Sequence, residues 1–351
     1  MIYNEYKDIR IAAIASAVPK DAFDIAAMAD DPNEDPKYIK SFIRKTGITQ
    51  KRIAAADQTA SDFSFAAAKI LEDNGKYKPE EIGILINLTQ NPDYRTPSTA
   101  CLLHDRLGLS KSCMAFDVNL GCSGFVYGVS IGAGMLAASS ADKALIVMGD
   151  TQARGRKETG ERSSNTRLLF GDASSAVLLE KSKGSCIRSG LMTDGTGLKA
   201  ITSPYGAWRH PEGPELIPGD DIAVFNFTIN EVPELVREYA EKTGKSADSY
   251  DAVVLHQANM MVLKNIAKRL GVEFEKCPVS IDRYGNTSSA SVPLTISDKY
   301  GEDKDGKELS LLTSGFGIGL SWGVLDFTIN TDDIYPVLAT DITFDDGFTD
   351  Q

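Results

Sequence analysis

Residues 116–136, FDVNLGCSGFVYGVSIGAGML, decide how the rest of the chain is read. The apolar run around Val118 reads as a buried strand that stops at Gly121. A segment of helical period follows, carrying Phe125, Val129, Ile131 and Met135. Strand, glycine turn and helix together are the unit of an α/β fold. Cys122 sits at the junction. Backbone N–H groups at a helix start lack intrahelical partners and carry partial positive charge, so the position predicts a thiol whose pKa is lowered. The same N–H groups could hold an oxyanion on a group bonded to that sulfur. The competing reading is a small buried cysteine in a tightly packed turn.

Two downstream stretches repeat the placement. Residues 251–257, DAVVLHQ, read as a short strand ending at His256, with a helix over 258–270 directly after it. Residues 278–281, PVSI, read as another strand, and GNTSSAS from Gly285 opens a further helical stretch. Cys122, His256 and Asn286 are therefore each expected where a strand hands over to a helix, the edge at which open α/β sheets bind ligands. A thiol, an imidazole and a carboxamide converging there can act as nucleophile and polar stabilisers. Taken singly, His256 also fits a core histidine and Asn286 a turn residue beside Gly285.

The segments GCSGFVYG, LHQAN and YGNTSSASVP occur in that order, joined by LLFGDASSAVLLE at 168–180 and SGFGIGLSWG at 314–323. Together they resemble the β-ketoacyl-acyl-carrier-protein synthase III family of condensing enzymes, over roughly residues 10–330. The resemblance implies an α/β fold of thiolase type, with two pseudo-symmetric halves in an αβαβα arrangement. The half spanning 1–180 would carry the nucleophile, the half spanning 181–330 the histidine and asparagine, and 331–351 would form an acidic tail.

It also implies the chemistry. Cys122, activated by the helix start and by His256, would take an acyl group from an acyl-coenzyme A. His256 Nε2 and Asn286 Nδ2 would hold the enolate released when malonyl-acyl-carrier-protein loses carbon dioxide. The N–H groups of Cys122 and Ile318 would form the oxyanion hole, and the product would be a 3-oxoacyl-acyl-carrier-protein. Coenzyme A enters as the thioester substrate, with no metal or other cofactor required. Lys45 and Thr46 fall in the family's coenzyme A neighbourhood, Lys45 at its usual arginine; the usual tryptophan falls near Ser41, and the usual adenine-side arginine at Ser164, with Arg162 two residues away. Thr96 matches a position that closes the acyl pocket across a homodimer interface. Lys264, Lys268 and Arg269 lie on the helix that commonly receives the carrier protein.

Related branches fit less well. Asn286 departs from the Cys-His-His pattern of elongating synthases, no carboxylate stands at Gln90-Asn91 as hydroxymethylglutaryl-coenzyme-A synthase needs, and Cys277 lies outside any thiolase motif. Two other functions stay open: an acyltransferase acting on an alcohol or amine, and a catalytically silent partner of another condensing enzyme.

Composition agrees with a large α/β unit or about two domains in 351 residues, 42% of them hydrophobic and 25% charged. A net charge of −12 argues against nucleic acid as a partner. No run approaches the roughly 20 apolar residues of a membrane span, and the first ten residues are polar rather than signal-like. Five cysteines without metal or paired spacing predict reduced thiols in a cytoplasm. With only three histidines, a polyhistidine metal site is disfavoured.

Further strands are expected at 9–14, 82–88, 144–148, 174–179, 187–191, 309–313 and 321–329, and helices at 36–44, 61–73, 97–107 and 231–243. Gly315, Gly317 and Gly319 are expected between the last two strands, giving the tight path an oxyanion-hole N–H needs. The tail holds six aspartates and no basic residue, and disorder is the expectation, while its apolar residues (Ile334, Tyr335, Val337, Leu338, Ile342 and Phe344) leave a docked strand or partner-binding segment open.

Overall fold

The computed structural model describes residues 1–30, 34–153, 166–213 and 219–348. Eleven strands lie among them: β1 (Ile2–Pro19), β2 (Ala22–Asp24), β3 (Gln50–Arg52), β4 (Ile82–Leu88), β5 (Met114–Val118), β6 (Lys143–Asp150), β7 (Ala173–Thr193), β8 (Ala252–Leu255), β9 (Glu308–Gly317), β10 (Ser321–Asn330) and β11 (Leu338–Thr340). The α-helices are α1 (Pro36–Thr46), α2 (Ala60–Asp73), α3 (Thr99–Arg106), α4 (Gly124–Ala138), α5 (Thr166–Leu169), α6 (Asp221–Thr243), α7 (Met260–Leu270), α8 (Ile281–Tyr284) and α9 (Ser291–Tyr300).

Two long strands tie the halves together. β7 pairs antiparallel with β6 over Ala173–Glu180 and then with β10 over Arg188–Thr193. β1 runs antiparallel beside both parts, Ile2–Lys7 against 186–191 and Ile9–Ala17 against 174–181. The strands expected separately at 174–179 and 187–191 are thus one element. Parallel ladders β5-β4-β6 extend one half and β9-β8 the other, with β10 antiparallel to β9.

The apolar residues sort into three layers of core. α4 and α9 lie in the middle: Phe125, Val129 and Ala133 from α4 and Val292 and Ile296 from α9 meet Ile84 and Ile146 on one side and Leu311 and Leu325 on the other. α2 and α3 cover the outer face of the first half through Phe63, Leu71 and Leu103. α1, α6 and α7 cover the second through Phe42, Val236 and Ile266. The result is the αβαβα layering of the thiolase fold. A helix flanked by sheets on both sides has no solvent face, which is why α4 is apolar around most of its circumference.

Three expectations need correction. Residues 278–280 are not a strand: Gln257 reaches them from the end of β8, its Oε1 accepting the Ser280 and Ile281 N–H groups (3.1 and 3.3 Å) and its Nε2 donating to the Pro278 carbonyl (3.4 Å). A side chain thus replaces the ladder partner those groups would need. Asn286 accordingly follows the short helix α8 rather than a strand. Helix α6 begins ten residues earlier than the pattern suggests, because Asp220 caps it and Pro233 is accommodated inside it. The tail is docked through residue 348: β11 pairs with β1 (Ala17 opposite Leu338), and Ile334 and Tyr335 are buried. None of the helices among the described residues is long and apolar enough to cross a membrane.

Candidate active site

Cys122 lies in the turn between β5 and α4, two residues before the helix begins, and only 9% of it is exposed. The chain at 315–321 closes over it. A Cβ on Gly317 would stand 2.6 Å from Cys122 Cβ and 3.1 Å from Sγ, and one on Gly121 would stand 2.4 Å from Gln90 Oε1. The Cys122 Cβ is fixed to its backbone, so Gly317 is required for this packing, whereas at Gly121 the flexible end of Gln90 would have to shift. Gly315 and Gly317 belong to β9, leaving the turn to 318–320. The Ser123 and Ser321 hydroxyls meet at 2.7 Å, and Ser321 Oγ donates to the Ile318 carbonyl at 2.7 Å, fixing that turn against the start of α4.

The backbone N–H groups of Cys122 and Ile318 both reach the sulfur and favour its thiolate. The thiol is nevertheless pushed up to about 12, first by burial and then by the negative charge of Asp150. The lowered pKa expected from the helix start therefore does not hold in the resting protein. Desolvation of the charged form outweighs the hydrogen bonds offered to it.

His256 follows β8, continuing its ladder by donating its backbone N–H to the Ser314 carbonyl at 2.8 Å. The ring is 2% exposed, meets the Phe316 ring edge-on at 5.3 Å, and has Nδ1 2.7 Å from Ser291 Oγ. Burial pushes its pKa down to about 3, against a smaller opposing hydrogen bond with the Ser288 backbone. The imidazole is therefore neutral. In the tautomer where Ser291 donates its O–H to Nδ1, Nε2 carries the proton and is a donor.

Asn286 is 5% exposed, and its backbone is clamped by 169–171: its N–H donates to the Leu169 carbonyl (2.9 Å) and its carbonyl accepts from Gly171 N–H (3.1 Å). The LLFGD part of the 168–180 segment thus has a task, to seat this asparagine. Oδ1 accepts the Ser288 N–H at 2.9 Å, which leaves Nδ2 as the donor end. Ser288 itself has a left-handed backbone, φ 53°, a conformation unusual for a residue with a Cβ.

Sequence reading missed Asp150, Ser288, Ser291 and Phe316. Asp150 ends β6 and is 2% exposed; its Oδ1 accepts Gln90 N–H at 2.7 Å and Thr89 Oγ1–H at 3.2 Å. The one available signal was a charged residue closing the apolar run ALIVMGD. The two serines lay inside a quoted motif, where only the asparagine drew notice.

The outlying candidates separate. Lys45 is exposed at the end of α1, while Thr46 Oγ1 bonds the Phe42 carbonyl at 2.8 Å. Gly47, next in sequence, packs against Met260 at the start of α7, where an added Cβ would stand 2.9 Å from Met260 Cβ. Arg162 lies outside the described residues, as does Ser164. Thr96 is exposed on the loop after β4. Lys264 and Lys268 border one surface hollow with Glu273 and Phe274, whereas Arg269 turns away to donate to Asn230 Oδ1 of α6 at 2.9 Å. The three basic residues do not form one patch. Among the described residues there is no group of three or more His, Cys, Asp or Glu placed to hold a metal ion.

Comparison with known proteins agrees with the fold. Residues 116–195 match the 3-oxoacyl-[acyl-carrier-protein] synthase III family, and residues 240–329 match its C-terminal part. The β-ketoacyl-[acyl-carrier-protein] synthase III of Xanthomonas campestris pv. campestris is 34% identical over 322 residues, covering 90% of this chain and 96% of that protein. The crystal structure of a 3-oxoacyl-(acyl-carrier protein) synthase from Burkholderia xenovorans superposes with a TM-score of 0.90 at 32% identity, covering 97% of this chain and 99% of that one. That of Pseudomonas aeruginosa 3-oxoacyl-(acyl carrier protein) synthase III gives 0.78 at 26% identity, over 95% and 100%. With the layers, the turn around Cys122 and these likenesses in agreement, the chain belongs to the β-ketoacyl-acyl-carrier-protein synthase III family of thiolase-fold condensing enzymes, which are acyltransferases.

Proposed function

We propose that this protein joins an acyl group to malonyl-acyl-carrier-protein in two stages. An acyl-coenzyme A transfers its acyl group to Cys122 Sγ, and the tetrahedral oxyanion forms against the N–H groups of Cys122 and Ile318. Malonyl-acyl-carrier-protein then loses carbon dioxide, and its enolate oxygen takes hydrogen bonds from His256 Nε2 and Asn286 Nδ2. The enolate carbon attacks the acyl-cysteine, releasing 3-oxoacyl-acyl-carrier-protein and the free thiol. A neutral imidazole suits the second stage, because it donates a hydrogen bond without giving up a proton. Donors fixed in a water-poor site contribute about 10²–10³ each in rate.

One observation carries the reading. The N–H groups of both Cys122 and Ile318 converge on Sγ from opposite halves of the molecule. Such a pair has no use in a merely structural cysteine. Coenzyme A is a substrate in this scheme, and no metal or redox group takes part. The protein works in the cytoplasm as a homodimer. Lys45 and Thr46 lie at the coenzyme A entrance and Lys264 and Lys268 meet the acidic carrier protein, with Arg269 held aside on Asn230. Arg162, outside the described residues, is assigned to the coenzyme A side by the same reading. Thr96 faces the acyl pocket of the second subunit and leaves room for chains longer than acetyl.

The test is intact mass of the protein after exposure to a panel of acyl-coenzyme A and acyl-carrier-protein donors, followed by malonyl-acyl-carrier-protein. A single acyl adduct on Cys122 that disappears as 3-oxoacyl product forms is expected. An adduct that resolves only with an alcohol or amine acceptor would replace the condensation with acyl transfer to oxygen or nitrogen.

A further inference from the structure

Beside Cys122, His256 and Asn286 stand two further groups that the two-stage scheme leaves idle. Asp150 is 2% exposed and Ser288 1%; the Ser288 side chain reaches the buried thiol, and the Asp150 charge acts on it. Ser288 Oγ faces the Asp150 carboxyl on one side and the Cys122 sulfur on the other. Asp150 Oδ2 and Ser288 Oγ close no hydrogen bond of full geometry among the described residues, whereas Asp150 Oδ1 is doubly held by Gln90 N–H and Thr89 O–H. A carboxylate anchored at one oxygen and left open at the other, inside a catalytic centre, is costly unless it has work to do. The left-handed backbone of Ser288 turns its hydroxyl into this gap, and strained residues of that kind collect at functional sites.

The thiol also needs somewhere to send its proton. His256 is ill suited, since burial holds its pKa near 3 and its Nδ1 is already engaged by Ser291. Burial acts on Asp150 in the opposite sense, pushing its carboxyl up to about 6 despite the hydrogen bonds it accepts. Its proton affinity therefore falls close to neutrality, where a general base is most effective. The groups facing it are Thr89, Gln90 and Asn91 from the loop after β4, Ser288 from the loop before α9, and the Cys122 thiol, which is the other titratable member of that set.

We propose that Asp150 and Ser288 form a proton relay for acyl loading, which rests on the reading of Cys122 as the nucleophile. As Sγ attacks the thioester carbonyl carbon, the S–H proton passes to Ser288 Oγ while the Ser288 hydroxyl proton passes to Asp150 Oδ2. The carbon–sulfur bond to the departing thiol then breaks, and that thiolate takes a proton back along the same path. Thiol plus thioester gives thioester plus thiol, and Asp150 ends as the carboxylate it began as. The relay thus belongs to the first stage, and the His256–Asn286 side belongs to the second.

The experiment measures acyl transfer to Cys122 by rapid quench and intact mass across pH 5 to 8, alongside decarboxylation of a malonyl thioester. Wild type, Asp150→Asn and Ser288→Ala are compared. Because Asp150 must be ionised to accept a proton, wild-type loading is expected to rise with pH through about 6 and then level. Asp150→Asn keeps the acceptor for Gln90 and Thr89, yet should lose that limb and slow loading about 100-fold, with decarboxylation changed less than about threefold. Ser288→Ala should also flatten the limb. An unchanged pH profile in Asp150→Asn, or equal loss of both half-reactions with a lowered Tm, would overturn the relay. A wild type that never carries an acyl group on Cys122 would instead overturn the nucleophile assignment beneath it.

Discussion

The reaction centre and the C-terminal tail are held in place by opposite means. Around Cys122 nearly everything is buried, short and polar, and backbone groups do most of the holding: Gly171 and Leu169 seat Asn286, Ser314 seats His256, and Ile318 reaches the sulfur. Over residues 331–348 a short backbone ladder of β11 on β1 and the buried Ile334 and Tyr335 are supplemented by contacts between long side chains, several of them at the surface. Lys20 pairs with Asp341 at 2.7 Å, Tyr94 Oη donates to Asp346 at 2.6 Å, and the Arg106 guanidinium lies between the Phe344 and Phe65 rings at 4.4 and 4.6 Å. Lys76 and Lys304 flank the Tyr335 ring, and Tyr335 N–H donates to the Ile14 carbonyl. Rigid backbone placement suits chemistry that must be positioned to a fraction of an ångström. A tail that only has to stay on the surface needs no such precision.

That contrast predicts which changes hurt function and which hurt only stability. The largest effect is expected from Asn286→Ala, which should slow malonyl decarboxylation about 10²–10³-fold while leaving acyl loading of Cys122 nearly intact. Separate assays of the two half-reactions check this, and normal decarboxylation would remove Asn286 from the enolate site. Gly317→Ala comes next. Its new Cβ would stand 2.6 Å from Cys122 Cβ, so either the nucleophile or β9 must move. Loading should fall about 100-fold, as expected for a nucleophile displaced by about 1 Å. A crystal structure of that variant with Cys122 unmoved, or full loading activity, would show that the turn is more compliant than the packing implies.

Removal of residues 331–351 should act on stability. Ile334 is fully buried and Tyr335 is 9% exposed, so removing the tail uncovers apolar surface on both sides of these contacts and should lower stability by about 1.5–3 kcal/mol, the scale of one large buried side chain. Thermal unfolding would show the lowered Tm, and loading at 25 °C should stay within about threefold. A truncated protein that keeps its Tm but loses loading would erase the distinction drawn above. Smallest of all, Phe344→Ala removes one face of the Arg106 sandwich and should cost about 0.5–1 kcal/mol. Lys20→Ala at the exposed pair with Asp341 should leave Tm where it is.

The same contrast explains what the sequence disclosed. Cys122, His256 and Asn286 were legible because each sits in a short contiguous motif whose glycines and polar residues have no other ready use. Ile318 came from the family resemblance; the three alternating glycines announced only a tight backbone path, and Gly315 and Gly317 lie within β9. Asp150 stayed hidden because a carboxylate at the end of an apolar run reads as a strand terminus. Only the fold brings Gln90, Ser288 and Cys122 to it, from 60, 138 and 28 positions away along the chain. The tail was misread for the same reason. Its six aspartates suggested disorder, while the residues that receive it (Ile14, Ala17, Lys76, Tyr94 and Arg106) lie hundreds of positions upstream. The false strand at 278–281 shows the local version of the problem, since one glutamine side chain satisfied backbone groups that the pattern assigned to a ladder.

The central claim is that Cys122 alone carries the acyl group between two distinct half-reactions. Intact mass and peptide mapping after mixing with acyl-coenzyme A, then with malonyl-acyl-carrier-protein, test it directly. A single adduct on Cys122, absent in Cys122→Ala and consumed as 3-oxoacyl-acyl-carrier-protein appears, is the predicted result. An adduct mapping to Cys277 or Cys101, or product forming in Cys122→Ala, would contradict it.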